Sequence, residues 1–324
     1  MSYDLYFLSP SAAAVPRQEA LKEYFLSRPN YGQTENDFWY GNEDTGIYFS
    51  FHWGQGDADG ALEATDPDDP PEDSRPSDGL TSAALAFELN YMRPHTFGLE
   101  AEIEVSALVK RFGLFVDDPQ MSGMGRGPYS REGFLTGWNA GNRFGYSAMI
   151  AQDGAVTDLL ATSLPAAQIE RAWRWNLKRS RLQEELGQYV FVPKIMALLH
   201  EGGVKSFVVW GDGMPTALPD TDLIVVVRES LAPRRFFRKK PDRAYATPAE
   251  LGPIRQFGRR VGGEEGYWLY DSAAPPAPIL DFIKSRIPWT GEFSGVPTER
   301  VLTRETLVEA LAAPRLKIEA INGE

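Results

Sequence analysis

Residues 204–228 read VKSFVVW, then GDGMPTALPDT, then DLIVVVR. Two runs rich in β-branched and aromatic residues flank a stretch punctuated by Gly and Pro, the pattern of two strands and their connection. Both arms are nearly continuous apolar runs, so each is expected to be covered on both faces. They are read as central strands of a mixed sheet in the C-terminal half. The connection carries Asp212, Asp220 and Asp222. Acidic side chains at strand ends can hold Mg²⁺ or act as general acid and base, which makes these three the candidate catalytic set. Asp is also an ordinary loop residue.

Outward from this stretch, the flanking segments are basic. Arg234, Arg235, Arg238, Lys239, Lys240 and Arg243 fall within ten residues, followed by Arg255, Arg259 and Arg260. A helix is predicted over 165–186, closed by Gly187, and its polar side carries Arg171, Arg174, Lys178, Arg179 and Arg181. Phe236, Phe237 and Tyr245 interleave aromatic rings suited to stacking on bases. Arg234, Arg235, Arg238, Lys239 and Lys240 are therefore the candidate phosphate- or nucleic-acid-binding set. One or two helical turns over 194–200 and helices over 278–286 and 303–311 complete this half.

The N-terminal half gives a strand over 3–8, a helix opened by Pro16, a strand over 47–53, and a strand over 80–91. A helix over 102–112 ended by Gly113 and a short strand over 114–116 follow. Strand, helix, strand, strand, helix, strand is the split βαβ order. It predicts a ferredoxin-like α+β domain over residues 1–120, a fold that carries no activity with it. Residues 121–142 hold six glycines and read as a linker. A strand is expected over 143–150, and residues 143–324 are assigned to a mixed-sheet α/β domain with room for a second ferredoxin-like unit.

Residues 54–79 break the pattern. They hold nine acidic residues, one arginine and four prolines, with Leu62 the one large apolar side chain. Such a segment cannot bury enough to offset its ordering entropy. It reads as a solvated insertion between paired strands or as an acidic arm for a basic partner. The candidate partner-binding residues are Asp57, Asp59, Asp66, Asp68, Asp69, Glu72 and Asp73. Trp39 and Trp289, placed in loops by the Gly and Pro beside them, join them as aromatic anchors.

The composition narrows the function classes. A net charge of -12 over 324 residues disfavours non-specific nucleic-acid binding by the whole chain. With no cysteine, disulfides and thiolate chemistry are excluded. His52, His95 and His200 have no metal-ligand spacing. The glycines at 123–127 and 137–145 match neither a P-loop nor a dinucleotide fingerprint, so no cofactor is expected. No GxSxG or HExxH is present. The N-terminus lacks a basic signal-peptide region and no run suits a membrane span, which predicts a cytoplasmic protein. The leading expectation is a non-enzymatic protein-binding module, of the immunity or inhibitor type, that engages a basic partner through acidic surface. A carboxylate-dependent enzyme acting on a phosphorylated or nucleotide substrate, and a nucleic-acid binder, are the alternatives.

Overall fold

The computed structural model describes residues 1–54, 78–120, 122–153, 156–228, 234–235, 238–239, 242–263, 266–289 and 291–312. It is a mixed α/β chain that contacts divide into two units, one of residues 1–41, 47–159 and 303–324, the other of 42–46 and 160–302.

The first unit runs β1 (Ser2–Ser9), α1 (Gln18–Leu26), β2 (Tyr31–Gln33), β3 (Asp37–Asn42), β4 (Ile47–Trp53), β5 (Thr81–Asn90), α2 (Thr96–Phe112), β6 (Phe115–Asp118), β7 (Gly125–Gly127) and α3 (Arg131–Asp153). Its sheet has the order β2-β3-β4-β5-β1-β6-β7. The pairs β4–β5, β5–β1 and β1–β6 are antiparallel, so the acidic segment joins two neighbouring strands. Alternation in β1 and β4 puts Tyr3, Leu5, Phe7, Phe49 and Phe51 on one buried face. α1 lays Phe25 on it, 4.9 Å from Phe51, and α3 lays Phe134 on it, 5.0 Å from Tyr3.

Three expectations for this half are corrected. Trp39 lies on strand β3, which with β2 widens the sheet, and not in a loop. α2 starts at Thr96, six residues before the predicted Glu102. Glu100 and Glu104 are inside this helix, each with a polar partner. Tyr40 Oη donates to Glu100 at 2.7 Å, and Arg28 pairs with Glu104 at 2.7 Å.

The largest correction is α3, which occupies most of the stretch read as a glycine linker and all of the expected strand over 143–150. Gly133, Gly137, Gly141 and Gly145 recur every four residues, so they share one helix face. That face meets large side chains: a Cβ on Gly137 would lie 3.0 Å from Tyr3 Oη, and one on Gly145 3.1 Å from the Tyr91 Cβ. The glycines allow close approach of helix to sheet, and this offsets their poor helix propensity.

A short helix, α4 (Val156–Ala161), leads on to β8 (Ser163–Leu164), α5 (Ala166–Leu186), β9 (Met196–His200), β10 (Gly203–Gly211), β11 (Thr216–Pro219) and β12 (Leu223–Val227). Then come β13 (Arg234–Arg235), β14 (Arg238–Lys239), β15 (Arg243–Ala246), β16 (Arg259–Val261), β17 (Tyr267–Tyr270), α6 (Ala277–Ser285), β18 (Ser294–Val296), β19 (Leu302–Thr303) and α7 (Arg304–Ala312). α7 returns to the first unit. Segment 196–200, expected to be helical, is β9, because its backbone pairs with β10 from Met196↔Phe207 to His200↔Gly203.

The second unit's main sheet has the order β15-β12-β10-β9-β18. β10 and β12 are interior neighbours and run parallel, Phe207 opposite Leu223 and Gly211 opposite Val227. Parallel neighbours need a crossover. It runs through β11, which leaves this sheet to pair with β17. One face packs Val208, Trp210, Ile224 and Val226 against Trp175 of α5 and against Ile279 and Ile283 of α6. The opposite face groups Leu198, Phe207, Leu223 and Val225, with Val209, Tyr245 and Trp289 only partly buried around them. Full cover on both faces, expected from the apolar runs, therefore holds on one side and is incomplete on the other.

Candidate functional site

The crossover between β10 and β12 separates the three aspartates of the candidate catalytic set. Asp212 closes a turn at the end of β10 with φ 43°, and its N–H donates to Val227 O at 2.9 Å. Asp220 forms a two-pronged bond to Arg260, at 2.7 and 3.0 Å. Asp222 accepts from Ser206 N at 2.8 Å, Ser206 Oγ at 2.9 Å and Gln168 Nε2. One acid is a turn residue, one is half of an ion pair, and one ties α5 to the start of the parallel pair. Among the described residues, no group of three or more His, Asp or Glu side chains is arranged to hold a metal ion.

Several of the basic residues are similarly engaged. On α5, Arg174 pairs with Glu170 at 2.7 Å and Arg181 with Glu185 at 3.2 Å, while Arg179 binds Asp44 with Nε at 2.9 Å. Beyond β15, Arg259 meets Asp271 at 3.5 Å and Arg260 meets Asp220. Arg234 and Arg235 pair in backbone register with Lys239 and Arg238 as the hairpin β13–β14. Lys240 lies outside the described residues. Each carboxylate cancels much of the field of the arginine it touches.

Asp57, Asp59, Asp66, Asp68, Asp69, Glu72 and Asp73 also lie outside the described residues. At the end of their segment, Asp78 pairs with Arg126 at 2.7 Å, and Arg126 reaches Asp117 at 3.1 Å. Hydrogen bonding from Arg126 holds the Asp78 carboxyl below its ordinary value.

Trp39 is 49% exposed. Its indole lies against Gly32, its partner across β2–β3, where any Cβ would collide with the ring. Gly41 leaves the same space on the other side, its virtual Cβ 3.2 Å from the ring. The result is a surface aromatic platform on the outer hairpin of the first sheet, a residue type that dominates many protein interfaces.

Trp289 belongs to the second unit and to an aromatic cluster. Its ring centroid lies 5.3 Å from His200, 5.5 Å from Tyr245 and 5.5 Å from Phe293. The cluster continues into a groove of about 600 Å³ over the incompletely covered sheet face. Phe207, Val209, Val225 and Val227 are its floor, Phe293, Val296 and Pro297 its wall, and Lys194, Arg243 and Glu299 its polar rim. A volume of this size is typical of ligand clefts. The sequence signal for it was present in part: Val209 and Val227 belong to the apolar arms, but nothing local marks that their face stays half open.

One arrangement escaped the sequence reading altogether. On the face of the first sheet opposite its helices, His52 Nδ1 lies 2.8 Å from Asp37 Oδ1 and Nε2 lies 3.0 Å from Ser50 Oγ. These are the contacts of a Ser–His–Asp relay. However, Glu88 Oε2 also reaches Nε2, at 3.2 Å. Ser50 thus shares Nε2 with a carboxylate from the neighbouring strand. The cluster acts as a cross-strand polar clamp over β3, β4 and β5.

Comparison of the chain with protein-family models, with characterised proteins and with solved structures finds no match. No described helix is long and apolar enough to cross a membrane.

Proposed function

We propose that this chain is a non-enzymatic protein-binding module of the immunity or inhibitor type, which engages a basic partner through acidic surface with Trp39 as an aromatic anchor. The observation that carries this reading is the internal pairing of the arginines. Arg174, Arg179, Arg181, Arg259 and Arg260, which in sequence suggested a basic face, each sit against a carboxylate. With 45 acidic and 33 basic side chains, the surplus is negative. Nine of the acids fall in residues 54–79, between strands β4 and β5. Concentrated charge of one sign steers an oppositely charged partner and raises its association rate. The separate engagements of Asp212, Asp220 and Asp222 favour this reading over a carboxylate enzyme. The antiparallel order β4-β5-β1-β6, with α1 and α2 as the connecting helices, supports reading the first unit as ferredoxin-like, widened by β2, β3 and β7.

The test is affinity capture from cytosolic extract at about 50 mM and about 500 mM salt, followed by titration of the purified captured protein. Wild type, a deletion of residues 56–77 and Trp39→Ala are compared. The expected result is one basic protein, bound at low salt, released at high salt and lost with the deletion. Its affinity for Trp39→Ala falls by about tenfold or more. A partner whose affinity is indifferent to the deletion, to salt and to Trp39 would rule the proposal out.

A further inference from the structure

The groove on the second sheet is chemically lopsided. From β10 to β12 its floor is Phe207, Val209, Val225 and Val227, with exposed Phe293 as one wall. On the β15 side stands Arg243, exposed, its guanidinium 5.5 Å from the centre of the Phe293 ring. Arg228, Arg260 and Arg286 of the same unit each meet a carboxylate at 2.7 Å. Arg243 faces the groove with no ion-pair partner among the described residues. The other rim cation, Lys194, donates to the Glu43 carbonyl, and its pKa is lowered by burial. Lys194 precedes β9, three strands from β15 in the sheet order, a span of about 14 Å at the usual strand spacing. Glu299 follows β18, the edge strand opposite β15. Among the described residues, the groove thus has one free cation at one end and apolar surface leading away from it.

We propose that this groove binds a medium-chain apolar monocarboxylate of the fatty-acid class, its acyl chain on Val209, Val225, Val227 and Phe293 and its carboxylate at Arg243. The planar guanidinium suits two-pronged recognition of a carboxylate. Its placement over Phe293 orients it before the ligand arrives, which limits the ordering cost. The site is independent of the partner-binding reading, and each can fail without the other.

Calorimetric titration of the full chain with decanoate, and with decylamine as the cationic control, tests the assignment. Decanoate is expected to bind saturably at one site, and decylamine about tenfold more weakly or worse. Arg243→Glu should reverse that order, and Arg243→Gln should weaken decanoate without creating a preference for the amine. Val209→Trp, which fills the floor, should abolish both. Arg243 is exposed, so its variants should keep the wild-type urea midpoint. Absence of saturable decanoate binding, equal binding of decanoate and decylamine, or an Arg243→Glu variant that binds decanoate as wild type does would overturn the assignment.

Discussion

Replacing Asp222 with Ala should destabilise the second unit by about 3–4 kcal/mol, whereas the same change at Asp220 should cost about 1 kcal/mol or less. Asp222 accepts three bonds, from Ser206 N at 2.8 Å, Ser206 Oγ at 2.9 Å and Gln168 Nε2. A hydrogen bond to a charged group contributes about 1.5–3 kcal/mol, and a buried donor left without a partner costs about 1–3 kcal/mol. Ser206 is 4% exposed, so its two donors carry most of that cost. Gln168 and Asp222 are half-buried, and water recovers part of the remainder, which keeps the total below the simple sum. Asp220 and Arg260 have side chains 43% and 30% exposed, so their pair is screened. The assay is urea unfolding of the full chain, followed by far-UV circular dichroism and tryptophan fluorescence. In a thermal melt the Asp222 variant should fall by about 6–16 °C, at roughly 2–4 °C per kcal/mol for a unit of this size. An Asp222→Ala protein within about 0.5 kcal/mol of wild type would refute the reasoning. So would an Asp220→Ala protein that loses as much.

Arg228→Ala should be the most destabilising single change on the second sheet, at about 3–5 kcal/mol by the same unfolding assay. Arg228 is 3% exposed, pairs with Asp242 at 2.7 Å and donates to the Ile283, Lys284 and Arg286 carbonyls at the end of α6. Asp4→Asn should stabilise the first unit near pH 7 and change nothing near about pH 3. Burial raises the Asp4 carboxyl above its ordinary value; Ser2 opposes this, and Glu88 adds to it. A raised acid favours folding in its protonated form, so wild-type stability declines as pH rises from the unfolded value through the folded one; melts across that window check the sign. Gly137→Leu should destabilise the first unit by about 2 kcal/mol or more despite better helix propensity, because Tyr3 and the Gly123 backbone fill that space. Trp39→Ala, in contrast, should alter stability by less than about 1 kcal/mol while weakening partner binding, since the ring is half exposed.

Much of the local structure was legible along the chain. Pro165 and Gly187 bracket α5, and Gly113 ends α2 in a left-handed conformation at φ 64°, because these residues act on their own backbone wherever the helix packs. The apolar runs at 204–210 and 222–228 gave the interior strands for an equally local reason. Partners distant in sequence decided what was misread. The glycines of α3 looked like a flexible connection until Tyr3 and Tyr91 supplied the surface they pack against, although their four-residue spacing was a usable signal. Segment 196–200 became a strand by pairing with β10, and Trp39 a strand residue by pairing with Gly32.

For the candidate sites, the sequence by itself determined the residue types: a negative surplus, three aspartates around one crossover, basic runs and the aromatic residues near them. Composition and turn chemistry are properties of the chain, so they survive any fold. Only the tertiary structure decided which charges remain available. Ion pairing and burial depend on distances between residues far apart in sequence: Asp220 was taken up by Arg260 and Asp222 by Ser206 and Gln168, while Arg243 was left facing an apolar groove.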